Sequence, residues 1–303
     1  MPKISVVMSV LNGEAFLRPA VESILNQTFG DFEFIIIDNA STDATCAILD
    51  SYGDPRIVRV RNDNVLTLTQ SLNKGLALAR GDYIARQDAD DISAPERFAR
   101  QVALLDAQPD TVLVGTHVRM IDERGAAFAM FAPPVDPGAL YETLPSANPF
   151  AHSSCMFRRE TALAAGGYPS QYAFAQDLAL WLLLARKGRL AMIDQPLLNL
   201  REHRGQTTQA PTYRILRHQE SIVIFEAAQR LPGLSLEARR KGRAHLARLH
   251  GMLARDLLLS GHAFSATAAL VRGLLLSPLP FVRYLCGVRH RPSVAAGHAG
   301  LEP

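Results

Sequence analysis

Short apolar runs alternate with stretches of helical spacing over the first hundred residues. Ile4-Ser5-Val6-Val7-Met8-Ser9-Val10 has strand length and is rich in β-branched side chains, and Asn12-Gly13 breaks it. From Ala15 to Gln27, the residues Phe16, Ala20, Ile24 and Leu25 fall on one helical side. Phe32 to Ile37 is a second apolar run and ends at Asp38. Ser41 is placed to cap a helix, with Asp43 in its first turn, where the helix dipole favours a carboxylate. Ile57–Val60 predicts a third strand, Thr69–Ala79 a helix, and Tyr83-Ile84-Ala85 a fourth strand. Ser93 with Glu96 reads as a capping box, with Pro95 in the first turn of the helix it opens.

Strands this continuously apolar are buried on both faces, which predicts a mostly parallel sheet covered by helices. In open sheets of that kind ligands sit beyond the carboxyl ends of the strands. Asn12, Asp38 and Asp88 all follow predicted strand ends, so they should gather on one edge. Asp88, Asp90 and Asp91 fall within four positions. In an extended backbone Asp88 and Asp90 face the same way. Three carboxylates that close repel one another. A hard divalent cation relieves them, and Mg²⁺ takes one or two protein carboxylates while phosphate and water complete its shell. Read alone, the pattern fits a solvated acidic turn as well. No G-x-G-x-x-G or Walker A motif follows the first strand, which argues against a dinucleotide dehydrogenase or a P-loop enzyme.

Composition adds an asymmetry. Residues 1–200 hold 17 Lys+Arg against 23 Asp+Glu, whereas residues 201–303 hold 15 against 6. An acidic catalytic half with a basic tail is expected, the tail facing an anionic membrane surface rather than nucleic acid. Cys46, Cys155 and Cys286 lie far apart without metal-like spacing, as in a reduced cytoplasmic protein. The chain opens directly on a strand-like run, so no signal peptide is expected, and no apolar run of spanning length occurs.

Three blocks make a resemblance specific: S-V-V-M-S-V-L-N-G-E, F-I-I-I-D-N-A-S-T-D and S-L-N-K-G-L-A-L-A-R-G-D-Y-I-A-R-Q-D-A-D-D. They resemble the nucleotide-sugar half of family 2 glycosyltransferases, inverting enzymes with the GT-A fold. The resemblance implies that Asp38 contacts the nucleobase and Asp88 the ribose or the metal. It implies that Asp90 binds Mg²⁺ or Mn²⁺, and that Ser9, Leu11, Asn12, Asn73, Lys74 and Arg86 lie near the nucleotide. Asn12 equally suits a turn, and Lys74 a solvated helix face. Many members have Pro where Ser9 stands and Tyr where Leu11 stands. Leu11 cannot stack on a base, which leaves the donor nucleotide open.

The segment from Pro109 to Leu144 alternates short runs, Val112–Val114 and Val118–Ile121, with turns. N-P-F-A-H-S-S-C-M-F-R-R-E and A-Q-D-L-A-L-W-L-L-L-A-R-K-G then resemble the acceptor half of the same family. Trp181, Leu182 and Ala185 predict a helix that Gly188 ends, with Asp177 in its first turn. A helix start keeps a carboxylate ionised. The resemblance makes Asp177 the general base; without it Asp177 is a plain cap. Gln176 stands where many relatives have Glu, and losing that acid should lower the base's pKa slightly. His152 reads as structural or acceptor-lining. L-N-L-R-E-H-R-G-Q-T-T resembles a segment closing over the diphosphate, where Arg201 would meet phosphate and His203 metal or phosphate.

The expected organisation is a catalytic unit over 1–210, split near 108, then a basic helical region over 211–291 and a disordered tail over 292–303. Phe264–Val288, interrupted by Arg272, Pro278, Pro280 and Arg283, suits helices lying on a membrane interface or packing on the core. The expected chemistry is sugar transfer from a nucleoside-diphosphate sugar to a glycan or lipid-linked acceptor. A sugar-1-phosphate nucleotidyltransferase and an inactive scaffold are the competing classes.

Overall fold

A computed structural model describes residues 1–203 and 213–285. The first half runs β1 (Ile4–Val10), α1 (Leu17–Leu25), β2 (Phe32–Asp38), α2 (Thr45–Asp50), β3 (Ile57–Arg61), α3 (Leu68–Leu78), β4 (Tyr83–Arg86), β5 (Ile92–Ser93) and α4 (Arg97–Ala107). Then come β6 (Thr111–Ile121), β7 (Ala127–Phe131), α5 (Pro137–Thr143), a 3₁₀ turn at His152–Ser154, β8 (Met156–Arg158), α6 (Arg159–Ala164), α7 (Gln176–Leu184) and β9 (Arg189–Arg201). Four helices follow: α8 (Arg214–Ala228), α9 (Leu236–Leu259), α10 (Ala263–Leu276) and α11 (Pro278–Leu285). The expected tail at 292–303 lies outside the described residues.

The strands form one sheet in the order β3-β2-β1-β4-β8-β6-β9-β5, with β7 on β6. The apolar runs did predict buried parallel strands: β1 and β2 are almost wholly enclosed, and β3, β2, β1 and β4 are mutually parallel. Beyond β4 the sheet turns mixed. β8 is antiparallel to both β4 and β6, while β9 is parallel to β6. The start of β8 therefore lies beside the end of β4, and the end of β9 returns to the same edge. One apolar cluster, with Phe34, Ile36 and Phe98, fills one face of the sheet. The other, with Leu72, Trp181 and Phe157, extends into α8 and α9.

Several local expectations shift. Val112–Val114 and Val118–Ile121 are parts of the single strand β6, which irregular pairing with β9 bends. Ser93 does not cap α4. It pairs in β5, its hydroxyl donates to Gln87 Oε1 at 2.8 Å, and the helix begins four residues on. Ser41 does not cap α2 either; its hydroxyl accepts the Asn12 amide at 3.0 Å. The capping box that forms is Thr67 with Gln70 at the start of α3. Gly188 lies beyond the end of α7 without a left-handed φ. A Cβ there would fall 2.4 Å from Val112 Cγ1, so close approach of two backbones, not helix capping, accounts for the glycine.

Candidate active site

β1, β2 and β4 deliver the donor side of the site. Val10 is in register with Asp38, and Val7 with Arg86. With neighbouring strands about 4.8 Å apart, β2 and β4 stand roughly 10 Å apart across β1. Asn12 takes a left-handed φ of 51°, which Asn tolerates, and its side chain accepts the Thr42 amide at 2.9 Å. It is a turn residue that ties the β1 loop to the β2 loop. Leu11 beside it is 46% exposed and presents bare apolar surface at the rim. Ser9 sits in β1 opposite Ile37.

Asp38 is buried at the end of β2. It accepts the Ser41 amide at 2.9 Å and the Cys46 thiol at 2.9 Å, with Arg61 Nη1 at 3.5 Å. Burial pushes its pKa up, but these hydrogen bonds and Arg61 together hold it below the ordinary carboxylate range.

The acidic loop is a turn rather than an extended strand, since β4 ends at Arg86. Arg86 is fully buried and its guanidinium pairs with Asp88. The Asp88 amide donates to Ser153 Oγ at 2.6 Å, which joins the loop to the 3₁₀ turn before β8. Asp90 meets His203 Nε2 at 3.0 Å. Asp91 is buried and accepts the Arg201 amide at 2.8 Å. Burial and the neighbouring charge of Asp88 push Asp90 up, against His203; burial, Asp90 and Asp88 push Asp91 well up. The acids do crowd one spot, as their spacing suggested.

Arg201 supports the loop from β9. Its guanidinium donates to the carbonyls of Asp90, Asp122 and Glu123 at 3.0, 3.0 and 3.2 Å and stacks over Phe16. Beneath the loop lies Arg97, wholly buried, which bonds Gln87, Ser93, Gln101 and the carbonyls of Arg86 and Cys155. It locks the ends of β4 and β8 together. A cation in an amphipathic helix segment gave no sequence signal for this.

Asn73 and Lys74 point elsewhere than expected. The Asn73 amide accepts the Tyr168 amide at 2.9 Å and donates to the Tyr168 carbonyl at 2.7 Å. Gly167, with φ of 73°, lets the chain pass so close that a Cβ would sit 2.8 Å from Asn73 Oδ1. Lys74 Nζ donates to Asn62 Oδ1 at 2.8 Å, in a network that holds Asn39 next to Asp38.

Asp177 stands in the first turn of α7 and accepts Asn148 Nδ2 at 2.8 Å. Asn148 precedes the His152 turn, so the carboxylate faces the edge that holds Asp88. The helix start was expected to keep this carboxylate ionised, and burial works against it. Burial raises its pKa to about 6, outweighing the helix start and Asn148, and the charge of Asp88 adds to the rise. His152 is structural: it contacts the Tyr168 hydroxyl at 3.0 Å, packs on Trp181, and burial holds it neutral. Arg158 and Arg159 bind backbone carbonyls at the far end of β4 and β8.

Carboxylate oxygens crowded at a rim suit a hard cation such as Mg²⁺ or Mn²⁺. Among the described residues no three His, Cys, Asp or Glu side chains form a ready-made metal cage. A cation held by one or two of these carboxylates would need phosphate and water to complete its shell. The continuation of the Arg201–His203 segment to Thr208 lies outside the described residues.

The sequence profile of Glycosyl transferase family 2 matches residues 5–167. EpsE of Bacillus subtilis, to which a glycosyltransferase activity is ascribed, is 35% identical over 238 residues, covering 76% of this chain and 83% of that protein. The O-antigen biosynthesis glycosyltransferase WbnJ of Escherichia coli is 32% identical over 209 residues, covering 67% of this chain and 81% of its own length. Among solved structures, S. aureus TarS 1–349 in complex with UDP-GlcNAc superposes with a TM-score of 0.64 at 17% identity, over 95% of this chain and 93% of that one. The mannosyltransferase PcManGT from Pyrobaculum calidifontis, in complex with GDP-Man and Mn²⁺, gives 0.59 at 21% identity, over 95% and 79%. These likenesses identify the sheet and its flanking helices as the GT-A fold. By its profile match and its curated relatives, the chain belongs to glycosyl transferase family 2.

Proposed function

We propose that the protein transfers a sugar from a nucleoside-diphosphate sugar to a hydroxyl of a surface-glycan acceptor, with inversion and with help from a divalent cation. The observation that carries this is the pairing, along one sheet edge, of a crowded acidic loop with a separate, poorly neutralised carboxylate at Asp177. An O-antigen glycosyltransferase among the relatives, and structures solved with UDP-GlcNAc or with GDP-Man and Mn²⁺, support the substrate class and the metal.

Asp38 and the Leu11 surface receive the nucleoside end, and Asp88 and Asp90 face the diphosphate end. Asp90, with Asp88 beside it, would hold the Mg²⁺ or Mn²⁺, which when bound supplies positive charge to the departing diphosphate. Arg86, Arg97 and Arg201 keep the loop in place; Asn73 and Lys74 fix the loops behind it. Asp177, with a pKa of about 6, is matched to general-base work near neutrality. It takes the proton from the acceptor hydroxyl as that oxygen bonds to the anomeric carbon. The bond from that carbon to the diphosphate oxygen breaks, and its electron pair leaves with the nucleotide. One displacement from the opposite face inverts the anomeric centre.

The test begins with thermal shifts and calorimetry on UDP-GlcNAc, UDP-glucose, dTDP-rhamnose and GDP-mannose, each with and without Mn²⁺. At least one should bind more tightly with Mn²⁺, and Asp90→Ala should remove that dependence. Equal titrations of wild type and variant with and without the ion would count against the metal role.

We further propose that the protein works at the cytoplasmic face of a membrane. Phe264, Leu275 and Leu279 are 90%, 78% and 74% exposed, while α9 carries exposed Arg240, Lys241, Arg243, Arg248 and Arg255. No helix among the described residues is long and apolar enough to cross a bilayer. Co-sedimentation with vesicles containing anionic lipid, but not with neutral ones, is the expected result.

A further inference from the structure

The helix that presents Asp177 begins without a cap of its own. Ala175 precedes α7 and offers no capping side chain, while the Asp177 carboxylate meets amides of its own first turn. Helix starts leave amide N–H groups without partners, and an N-terminus favours negative charge. The loop that leads into this helix start is held from another helix. Glu220, 45 residues on from Ala175 and buried in α8, accepts the Ala173 amide through Oε1 at 2.9 Å. Its Oε2 accepts the amides of Phe174 at 2.9 Å and Ala175 at 3.3 Å. A carboxylate is buried at little cost only when hydrogen bonds replace its water, and three successive amides do so here.

The same loop is held from the opposite side by α3. Thr69 Oγ1 donates to the Tyr172 carbonyl at 2.5 Å, and Asn73 grips Tyr168 through both amide atoms. Phe174 also packs its ring on Tyr213 at 5.2 Å, just before α8 begins. Residues 168–175 are thus strapped between the donor half and the C-terminal helices, two residues before the candidate base. α8 is itself anchored to α9, where buried His218 and Asp256 meet at 3.3 Å. The profile of the family stops at residue 167, before any of the α8 contacts.

We propose that Glu220 is a positioning residue for sugar transfer: from α8 it binds the amides of Ala173–Ala175, the loop entering α7, and so fixes where α7 presents Asp177. The C-terminal helices are then part of the catalytic apparatus, not a separable appendage. The proposal rests on Asp177 acting as the base.

Full-length Glu220→Gln, Glu220→Ala and Asp177→Asn are compared with wild type. The probe is the sugar nucleotide that binds best in the panel above, with octyl glycosides and water as acceptors. Glu220→Gln keeps the size and one accepting oxygen. It should lower turnover on the order of tenfold to a hundredfold, because small misplacements of a catalytic group have effects of that size. Glu220→Ala should lose more. Affinity for the nucleoside diphosphate should stay unchanged in both, and amide exchange over residues 172–178 should quicken. Turnover is normalised to the calorimetric binding stoichiometry, which counts folded molecules. Normalised turnover equal to wild type, or unaltered exchange over that segment, overturns the proposal. If Asp177→Asn is also fully active, the base assignment has failed instead; if it is inactive while Glu220→Gln is normal, only the role of Glu220 is lost.

Discussion

The acidic loop after β4 and the first turn of α7 bring the same residue type to one edge, and the fold treats them in opposite ways. In the loop each carboxylate meets a group that favours its charged form: Arg86 for Asp88, His203 for Asp90 and the Arg201 amide for Asp91. Burial, and after it the neighbouring aspartates, still leave Asp90 and Asp91 hard to ionise. Asp177 meets only the neutral Asn148 side chain and its own helix start, and burial dominates. Asp38 marks the other limit, with an amide, a thiol and a nearby arginine holding it ionised. In the function proposed above, environment rather than residue identity would separate a cation-gripping acid from a proton-accepting one.

The comparison breaks most plainly at Asp177. Asp177→Asn should lower transfer by about 10²–10⁴-fold, the usual worth of a general base, with nucleotide affinity intact. Normal turnover in steady-state assays would place the base elsewhere. Next comes pH. A base with a pKa of about 6 is active above that value, so turnover should fall as pH drops through about 6, by roughly tenfold per unit below it. A profile flat to pH 4.5 would contradict the environment described for Asp177. Asn148 sharpens the contrast. Its hydrogen bond favours the charged form, so Asn148→Ala should move the acid limb upward by roughly one unit. A downward move would mean that Asn148 does not stabilise the ionised carboxylate. The smallest effect is on the donor side, where Leu11 offers surface but no ring. Leu11→Tyr should tighten nucleoside-diphosphate binding by about 1 kcal/mol, roughly fivefold, in calorimetry. No change would put the base away from Leu11.

Much of the donor half was legible because its signals are local. Apolar runs gave β1, β2 and β4, and the positions just past them gave Asp38 and Asp88. What was not legible was how the acids are matched. Arg86 and Arg201 carry charges suited to phosphate, yet the first is sealed under Asp88 and the second binds three carbonyls. Asn73 and Lys74 are neighbours on α3, yet their side chains bond Tyr168 and Asn62 of the protein itself. Glu220 is one of six acids in a basic region, and nothing in the sequence named its partners.

The sequence by itself determined the alternation of strands and helices and the order in which the acids appear, because side-chain periodicity and turn chemistry act over a few residues. The tertiary structure alone decided which acid is neutralised and which is left basic. Those outcomes depend on contacts such as Asp90 with His203, 113 positions apart, and Glu220 with Ala173, 47 apart, and on removal of water around Asp177. Desolvation and long-range pairing belong to the packed molecule, and no stretch of the chain carries them alone.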